Sequence, residues 1–431
     1  MNELLNKRLH DYFGNQADKL IEELNKPVTQ GFFLNTNKTN KEDILNIIDF
    51  DYQKSDLSDD SYYHNHDNIG KTKAYELGLI YPQEIAASLT SKFINTDNPK
   101  LIVDMCAAPG GKTINILNRL DKNVICISND ENHTRSLALS SNIERLGLDN
   151  TIITNKKCKD LADLLQGKVD IVVLDAPCSG EGMLRKYPEI NDDYSIDKIN
   201  ELADIQKQLL EYAYKMLKEN GILIYSTCTY AFEEDEDQIK EFLNNHSDVE
   251  LINVDIDSYS QLNGTVKLCP LNNTEGQFFT ILKKHNKEES NNLKYLKSIK
   301  ENLIDKFIKD NLNIDNYYLY KYKDTYYISL IPLIDLGSNV LRYGINVGNI
   351  INNRFEPNHN LYRANSLIGK YKYVYDLNDE EYDKYIQGYE LKINEDDHYY
   401  LVTYKNNSLG YGKCSKGILK NKYPKGLRRM I

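Results

Sequence analysis

Leu101-Ile102-Val103-Asp104-Met105-Cys106-Ala107-Ala108-Pro109-Gly110-Gly111-Lys112-Thr113 begins as a short apolar run. It ends in small residues, paired glycines and the start of a helical pattern with apolar residues at Ile114, Ile116, Leu117 and Leu120. A buried strand that empties into such a turn lets the backbone approach a ligand closely, and the helix that follows offers free N–H groups at its start. Nineteen residues after Gly111, past a second apolar run from Val124 to Ser128, stands Asp130. An acid at that place bonds ribose hydroxyls in nucleoside-binding folds. Strand, turn, helix, strand and acid in this order predict a nucleoside-binding unit in a doubly wound α/β sheet.

Two further apolar runs, Val169 to Leu174 and Gly221 to Tyr225, read as parallel strands buried on both faces. A cysteine follows each: Asp175-Ala176-Pro177-Cys178-Ser179-Gly180-Glu181-Gly182 and Ser226-Thr227-Cys228-Thr229-Tyr230. Reactive groups in an open α/β sheet gather beyond the carboxyl ends of its strands, so both thiols are expected in one crevice with the nucleoside. Strands near 101, 123, 151, 169 and 221 alternate with helical patterns, and a pair near Val249 to Val254 and Gln277 to Leu282 is expected to close one edge.

Residues 104 to 113, 175 to 182 and 226 to 229 resemble motifs I, IV and VI of the S-adenosylmethionine-dependent RNA cytosine-5 methyltransferases. Within that family the chain is most similar to the bacterial RsmF type, which acts on 16S ribosomal RNA. Tyr81-Pro82-Gln83-Glu84 resembles the motif ahead of the family's catalytic domain, and Asn421 to Arg429 resembles the end of RsmF-type chains. The resemblance implies a Rossmann-like methyltransferase sheet with S-adenosylmethionine held by Cys106, Ala107, Ala108, Pro109, Gly110, Gly111 and Lys112, and with Asp130 on the ribose. It implies Cys228 as nucleophile, Cys178 as the residue associated with release, and Asp175 between base edge and cofactor. The family often places an acid near the adenine after the strand at 151, but Thr154-Asn155-Lys156-Lys157 offers none. Counting from Asp130 puts Lys157 at that place, whereas the end of the strand favours Asn155; Asn155 is chosen, because an asparagine amide can bond adenine.

Carbon 5 of cytosine is a poor nucleophile, and attack by a thiolate at carbon 6 divides one difficult step into two easier ones. DNA cytosine-5 methyltransferases use a Pro-Cys pair after this same strand as the nucleophile, and Pro177-Cys178 fits that pattern. The second cysteine in Thr-Cys context, with Ser-Gly-Glu-Gly after Cys178, favours the RNA type and Cys228. Cys106 is expected to contribute backbone to the cofactor turn, and Cys126, Cys158, Cys269 and Cys414 to be structural. Lys112 is read as facing cofactor or base, or else as a solvated lysine at a helix start; Arg185-Lys186 as meeting RNA phosphates, or as a solvated pair.

With 431 residues, the chain is too long for one typical core. Its seven cysteines show no metal spacing and no disulfide framework, and no apolar run approaches the roughly 18 residues of a membrane span. A net charge of −11 argues mildly against a nucleic-acid partner, but the charge is uneven: seven bases and no acid lie between Lys413 and Arg429. Expected units are a small α/β lead-in of RNA-binding type at 1–78, a catalytic domain at 79–284, an intermediate segment at 293–345 and, by resemblance, a C-terminal α+β PUA-like RNA-binding domain at 346–431. In the lead-in, one amphipathic helix is expected near Glu3 to Leu24, a strand at Gly31 to Leu34, a helix from Lys41 and a polar stretch around Ser55 to Asn68. Lys283 to Asn292 reads as a linker, and the tyrosines beyond it suit half-buried strands.

The functional expectation is methylation of carbon 5 of cytosine in RNA, most of all 16S rRNA or the small ribosomal subunit. Alternatives are a tRNA cytosine-5 methyltransferase, a non-catalytic ribosome-assembly factor that binds RNA, and a DNA methyltransferase acting through Cys178. A cytoplasmic monomer with no metal and no membrane partner is expected.

Overall fold

The structure, a computed structural model, describes residues 1–429 apart from Asn95, Asp97, Asp121, Lys122, Glu288 and Asn291. Its centre is a nine-stranded sheet. From one edge the order is Val340–Tyr343, Thr151–Thr154, Ile125–Asn129, Leu101–Asp104, Val169–Asp175, Leu217–Thr227, Gln277–Lys284 and Val249–Ile252, with Val266–Leu268 beside Gln277–Lys284. The five strands from Thr151–Thr154 through Leu217–Thr227 are parallel. Gln277–Lys284 runs antiparallel to Leu217–Thr227. Near-continuous apolar runs make these strands because both faces are covered: Val103, Val172 and Leu174 point into one core, Ile102, Ile171 and Val173 into the other.

Chain order reverses between Leu101–Asp104 and Val169–Asp175, its two neighbours in the sheet. A crevice opens at such a switch point, beyond the carboxyl ends of the strands. The Gly-rich turn after Leu101–Asp104 and the cysteine loop after Val169–Asp175 both leave there, which positions the site.

The N-terminal region departs from expectation. Gly14, at φ +53°, divides the expected helix into Glu3–Phe13 and Ala17–Leu24. The polar stretch contains the strand Ser61–His64, in a four-stranded sheet with Tyr52–Lys54, Gly31–Leu34 and Ile80–Pro82. That last strand carries the lead-in sheet past residue 78. The region also builds no core of its own. Leu5, Leu9 and Leu20 of its helices pack with Tyr194, Tyr230 and Cys269 around the two cysteine loops. Phe32, Leu34 and Ile44 pack with Tyr382, Tyr385 and Leu419 of the C-terminal region. Elements this short bury too little apolar surface alone.

C-terminally, Lys283 and Lys284 belong to the strand Gln277–Lys284, so the expected linker begins later; its Glu288 and Asn291 lie outside the described residues. Val340–Tyr343 adds an antiparallel edge to the central sheet beside Thr151–Thr154. The chain does not part at 345/346, because Ile345–Ile351 pairs with Thr325–Ser329 in a four-stranded sheet that runs from Tyr318–Tyr322 to Arg354–Pro357. A five-stranded sheet with the helix Asp379–Gln387 follows. The tyrosines are largely core: Tyr320, Tyr343, Tyr382 and Tyr385 are fully buried.

One side chain joins all three regions. Arg363 donates through Nη1 to the carbonyls of Ser408 (2.8 Å) and Leu409 (3.1 Å), and through Nη2 to those of Glu76 (2.8 Å) and Arg145 (2.6 Å). Lys38, from the lead-in, donates to the carbonyls of Leu77 and Ser408. The C-terminal basic run is only partly free: Arg428 donates to the Tyr423 carbonyl and Arg429 pairs with Glu76 at 2.5 Å, while Lys413, Lys416, Lys420, Lys422 and Lys425 are exposed.

Candidate active site

The turn after Leu101–Asp104 is held from behind. Gly110 sits at φ +116°, a conformation that favours glycine. Ala107 N–H donates to the Asn129 carbonyl (2.7 Å), Arg135 Nη2 to the Ala108 carbonyl (2.7 Å) and Asn142 Nδ2 to the Pro109 carbonyl (3.0 Å). Asn129, fully buried, donates to the Met105 and Lys156 carbonyls and accepts from Thr154 and from the Lys156 N–H. It ties the ends of three adjacent strands together. The sequence signal for it is weak, a polar residue closing an apolar run.

The two cysteine loops are stitched together as well. Ser179 and Thr229 hydroxyls lie 2.7 Å apart, Gly182 N–H donates to the Cys228 carbonyl (2.9 Å), and Glu181 accepts from Tyr194 (2.6 Å) and from the Tyr230 N–H (3.1 Å). Glu181 is fully buried, and burial raises its pKa, so the acid in Ser-Gly-Glu-Gly is a brace between loops. A Cβ on Gly182 would come within 2.5 Å of the Gly276 Cα, a backbone approach that only glycine allows.

The consequence is that Cys178 Sγ and Cys228 Sγ lie 3.1 Å apart, and the Cys228 N–H donates to Cys178 Sγ at 3.3 Å. All seven cysteines are free thiols. The neighbouring thiol and burial push the Cys178 pKa well above its ordinary value, so Cys178 holds its proton at neutral pH. Cys228 lines a cavity of about 230 Å³ together with Cys106, Ala107, Ala108, Pro109, Gly111, Lys112 and Asp175; Cys178, partly exposed like Cys228, does not line it.

Asp175 connects the three motifs. Its Oδ1 accepts from Ser226 Oγ (2.6 Å), and its Oδ2 from Lys112 Nζ (2.9 Å). Lys112 is thus drawn inward, only 9% exposed, rather than left in solvent. Asp130 and Asn155 do not line the cavity but flank the next strand end. Asp130 Oδ1 accepts from the Asn132 N–H, whereas its buried Oδ2 makes no hydrogen bond and has Arg135 at 3.5 Å. That orphaned oxygen beside a Gly-rich turn suits ribose hydroxyls. Asn155 spends both amide hydrogens on the carbonyls of Asp130 and Glu131, which leaves only its oxygen for an adenine and makes it a support of the Asp130 turn.

Sequence gives no role to Gln83, Glu84 or Met183. Gln83, Glu84, Met183 and Lys186 line both this cavity and an adjoining one of about 290 Å³ that reaches Gln30, His64 and Ile69. Tyr81 to Glu84 therefore forms a wall of the cleft, with Gln83 Nε2 donating to Asn115 (2.9 Å). Arg185 is not available to phosphate. It pairs with Glu275 at 2.7 Å and donates to Thr29, Thr274 and Pro27, while Lys186 stays exposed on the cleft.

Residues 91–312, more than half of the chain, match the family described as 16S rRNA methyltransferase RsmB/F. The chain belongs to that family. Residues 1–85 match the N-terminal domain of 16S rRNA methyltransferase RsmF, and 372–429 the methyltransferase RsmF PUA domain, which begins later than the expected 346. Among relatives, ribosomal RNA small subunit methyltransferase F of Vibrio cholerae is 36% identical over 170 residues, covering 39% of this chain and 36% of that protein. Its namesake in Psychromonas ingrahamii is 33% identical over 227 residues, covering 50% and 47%. The chain thus spans about half or less of the length of the curated relatives it matches. The crystal structure of a methyltransferase homolog protein from Pyrococcus horikoshii superposes with a TM-score of 0.59 at 26% identity, covering 66% of this chain and 95% of that one. The family's Rossmann-like sheet is therefore present. Among the described residues no helix is long and apolar enough to cross a membrane, and no His, Cys, Asp and Glu cluster could hold a metal ion.

Proposed function

We propose that this chain transfers a methyl group from S-adenosylmethionine to carbon 5 of cytosine in RNA, with 16S rRNA as substrate, acting as a monomer. The observation that carries the reading is the asymmetry of the cysteine pair: Cys228 lines the cleft with Asp175 and Lys112, whereas Cys178, 3.1 Å away, does not line it and holds its proton. Family membership supports it, as does the relatives' name, which specifies small-subunit rRNA. When bound, S-adenosylmethionine supplies the electrophilic methyl group.

This chain's residues do the rest. The turn from Cys106 to Lys112 cradles the cofactor, and Asp130 accepts from its ribose. The target base is swung out of its stack into the cleft. The Cys228 thiolate attacks carbon 6, and the carbon 5–carbon 6 electrons become available at carbon 5. Asp175 accepts from the base's exocyclic amine, while the Lys112 charge stabilises electron density pushed into the ring. After methyl transfer the carbon 5 proton passes to solvent in the open cleft, the electrons of that bond re-form the carbon 5–carbon 6 double bond and Cys228 departs as a thiolate; Cys178, next to that sulfur, is assigned to the departure.

The test is Cys178→Ser with substrate RNA and S-adenosylmethionine on a denaturing gel, followed by mass spectrometry of the cross-linked peptide. A slow-migrating complex through Cys228 is expected. A complex only from Cys228→Ser, linked through Cys178, would overturn the assignment in favour of the DNA-type order. Bisulfite sequencing of ribosomal RNA from cells with and without the protein tests the substrate.

A further inference from the structure

Another cavity, of about 700 Å³, lies away from the cleft, between the helix Asn302–Asn311 and the five-stranded C-terminal sheet. Its rim carries Lys306, Lys309, Lys372 and Lys413, all exposed, against two acids, Asp310 and Asp397. In a chain of net charge −11 this local excess of positive charge stands out. Among the described residues none of the four lysines forms a salt bridge; Lys372 donates to the Lys309 carbonyl (2.6 Å), and Lys413 lies 5.0 Å over the Tyr399 ring.

The floor is aromatic. Tyr373 and His398 stack at 3.7 Å between centroids with planes 7° apart, and Phe307 meets Phe355 at 4.8 Å and Tyr399 at 5.3 Å. Tyr373, His398 and Tyr399 are only half-buried, so the core does not use up their surface. A floor of rings under a lysine rim matches how single strands are held: phosphates on the cations, bases stacked on the rings. The volume is that of a small-ligand pocket, enough for a nucleotide or two. An acidic peptide would use the rim and leave the rings idle.

We infer that this groove binds single-stranded RNA, stacking a base on the Tyr373–His398 pair and seating its phosphates on Lys306, Lys309 and Lys413. The inference rests on the reading of the chain as an RNA-directed enzyme and assigns it a grip on substrate that is separate from the catalytic cleft. The positions come from two regions of the chain, so the groove exists only where the intermediate helix meets the C-terminal sheet.

The experiment uses the full-length protein and a short fluorescein-labelled oligouridine RNA, read by anisotropy across a salt series. Lys306→Ala, Lys309→Ala and Lys413→Ala together should weaken binding about 10-fold to 100-fold and lower the salt slope by about 2, since each single-strand phosphate contact contributes about 0.7. Tyr373→Ala with His398→Ala should weaken it roughly 5-fold to 100-fold with the slope unchanged. The lysines are exposed, so the triple variant should keep the parent's melting temperature and S-adenosylmethionine affinity. Unchanged RNA affinity and slope in that variant would overturn the proposal. So would displacement of the RNA by a polyglutamate peptide as readily as by unlabelled oligouridine, which would mark a polyanion surface. Groove-dependent binding by a protein that never methylates RNA would leave the groove standing and remove the catalytic reading; methylation with groove-independent binding would do the reverse.

Discussion

The seam around Arg363 and the strand ends beneath the cofactor turn both bury ionisable groups, and they treat them in opposite ways. Arg363 donates to four carbonyls and Lys38 to two. Arg145 leaves Nε and Nη2 without a hydrogen bond, but its guanidinium lies 3.7 Å over the Tyr75 ring. Beneath the turn, by contrast, Asp104 Oδ1 and Asp130 Oδ2 are buried with no hydrogen-bond partner. A cation satisfied by backbone holds regions together, whereas an unpaired buried oxygen costs stability and is tolerated where a site needs it. The seam is built for assembly and the strand ends for a ligand.

The largest expected effect separates chemistry from assembly. Cys228→Ala should abolish methyl transfer to RNA, because the other two thiols at the strand ends, Cys106 and Cys178, are each held protonated by burial and a neighbouring thiol, and should leave the melting temperature close to that of the parent. Tritium-methyl transfer and a thermal melt read both. Activity in this variant would mean that Cys178 can do the work, and the asymmetry of the pair would lose its meaning.

Arg363→Ala should give the converse. It strands carbonyls of Glu76, Arg145, Ser408 and Leu409 at the junction of three regions, and a cost of about 3–5 kcal/mol is expected from buried groups left unpaired. Urea denaturation measures it, and methyl transfer per folded molecule should survive. Arg363→Lys should recover only part, since an ammonium lacks the planar fork that reaches two pairs of carbonyls. A variant that melts like the parent would show that the seam does not hold the regions together.

The same contrast explains what could be read from sequence. The central strands were legible because burial on both faces leaves unbroken apolar runs, and the candidate site's loops because cysteine, glycine and acid stand at strand ends. The seam was not, since nothing in Lys38 or Arg363 distinguishes a cation that ends on carbonyls from one in solvent. Arg185 looked like a phosphate-binding or solvated charge for the same reason, yet it closes an internal contact, as Glu181 does. Ser61–His64 read as polar stretch because its strand character comes from pairing with Gly31–Phe33, some thirty residues earlier. The shared cores were invisible because Leu5 and Phe32 find their partners near 194–230 and 377–419.

A smaller effect is expected at the ligand side. Asp130→Ala should weaken S-adenosylmethionine binding by about 1–3 kcal/mol, the scale of hydrogen bonds to a charged group. Calorimetry measures it, and unchanged affinity would move the ribose contact off this oxygen. Asn155→Ala should have a weaker effect in the same direction, because its amide supports the Asp130 turn from behind.

The smallest effect tests whether the unpaired oxygen beneath the turn costs anything. Burial pushes the Asp104 carboxyl up to about 7, reinforced by the Asp175 charge and opposed by the Thr113 hydroxyl at 2.7 Å. Its ordinary value, which the unfolded chain keeps, is 3.8. The folded state therefore holds the proton more tightly, so the stability it contributes is fully present below pH 4 and is lost as pH rises toward 7. Asp104→Asn keeps an acceptor for Thr113 and removes the titration. Between pH 5 and pH 8 the parent should lose about 1–2 kcal/mol more than the variant, allowing for relaxation of the buried site. Urea denaturation at the two pH values, without ligand, measures the difference. Parallel losses would mean that Asp104 is ionised throughout this range and that its bare oxygen is solvated by motions of the turn, which would erase the contrast with the carbonyl-bonded side chains of the seam.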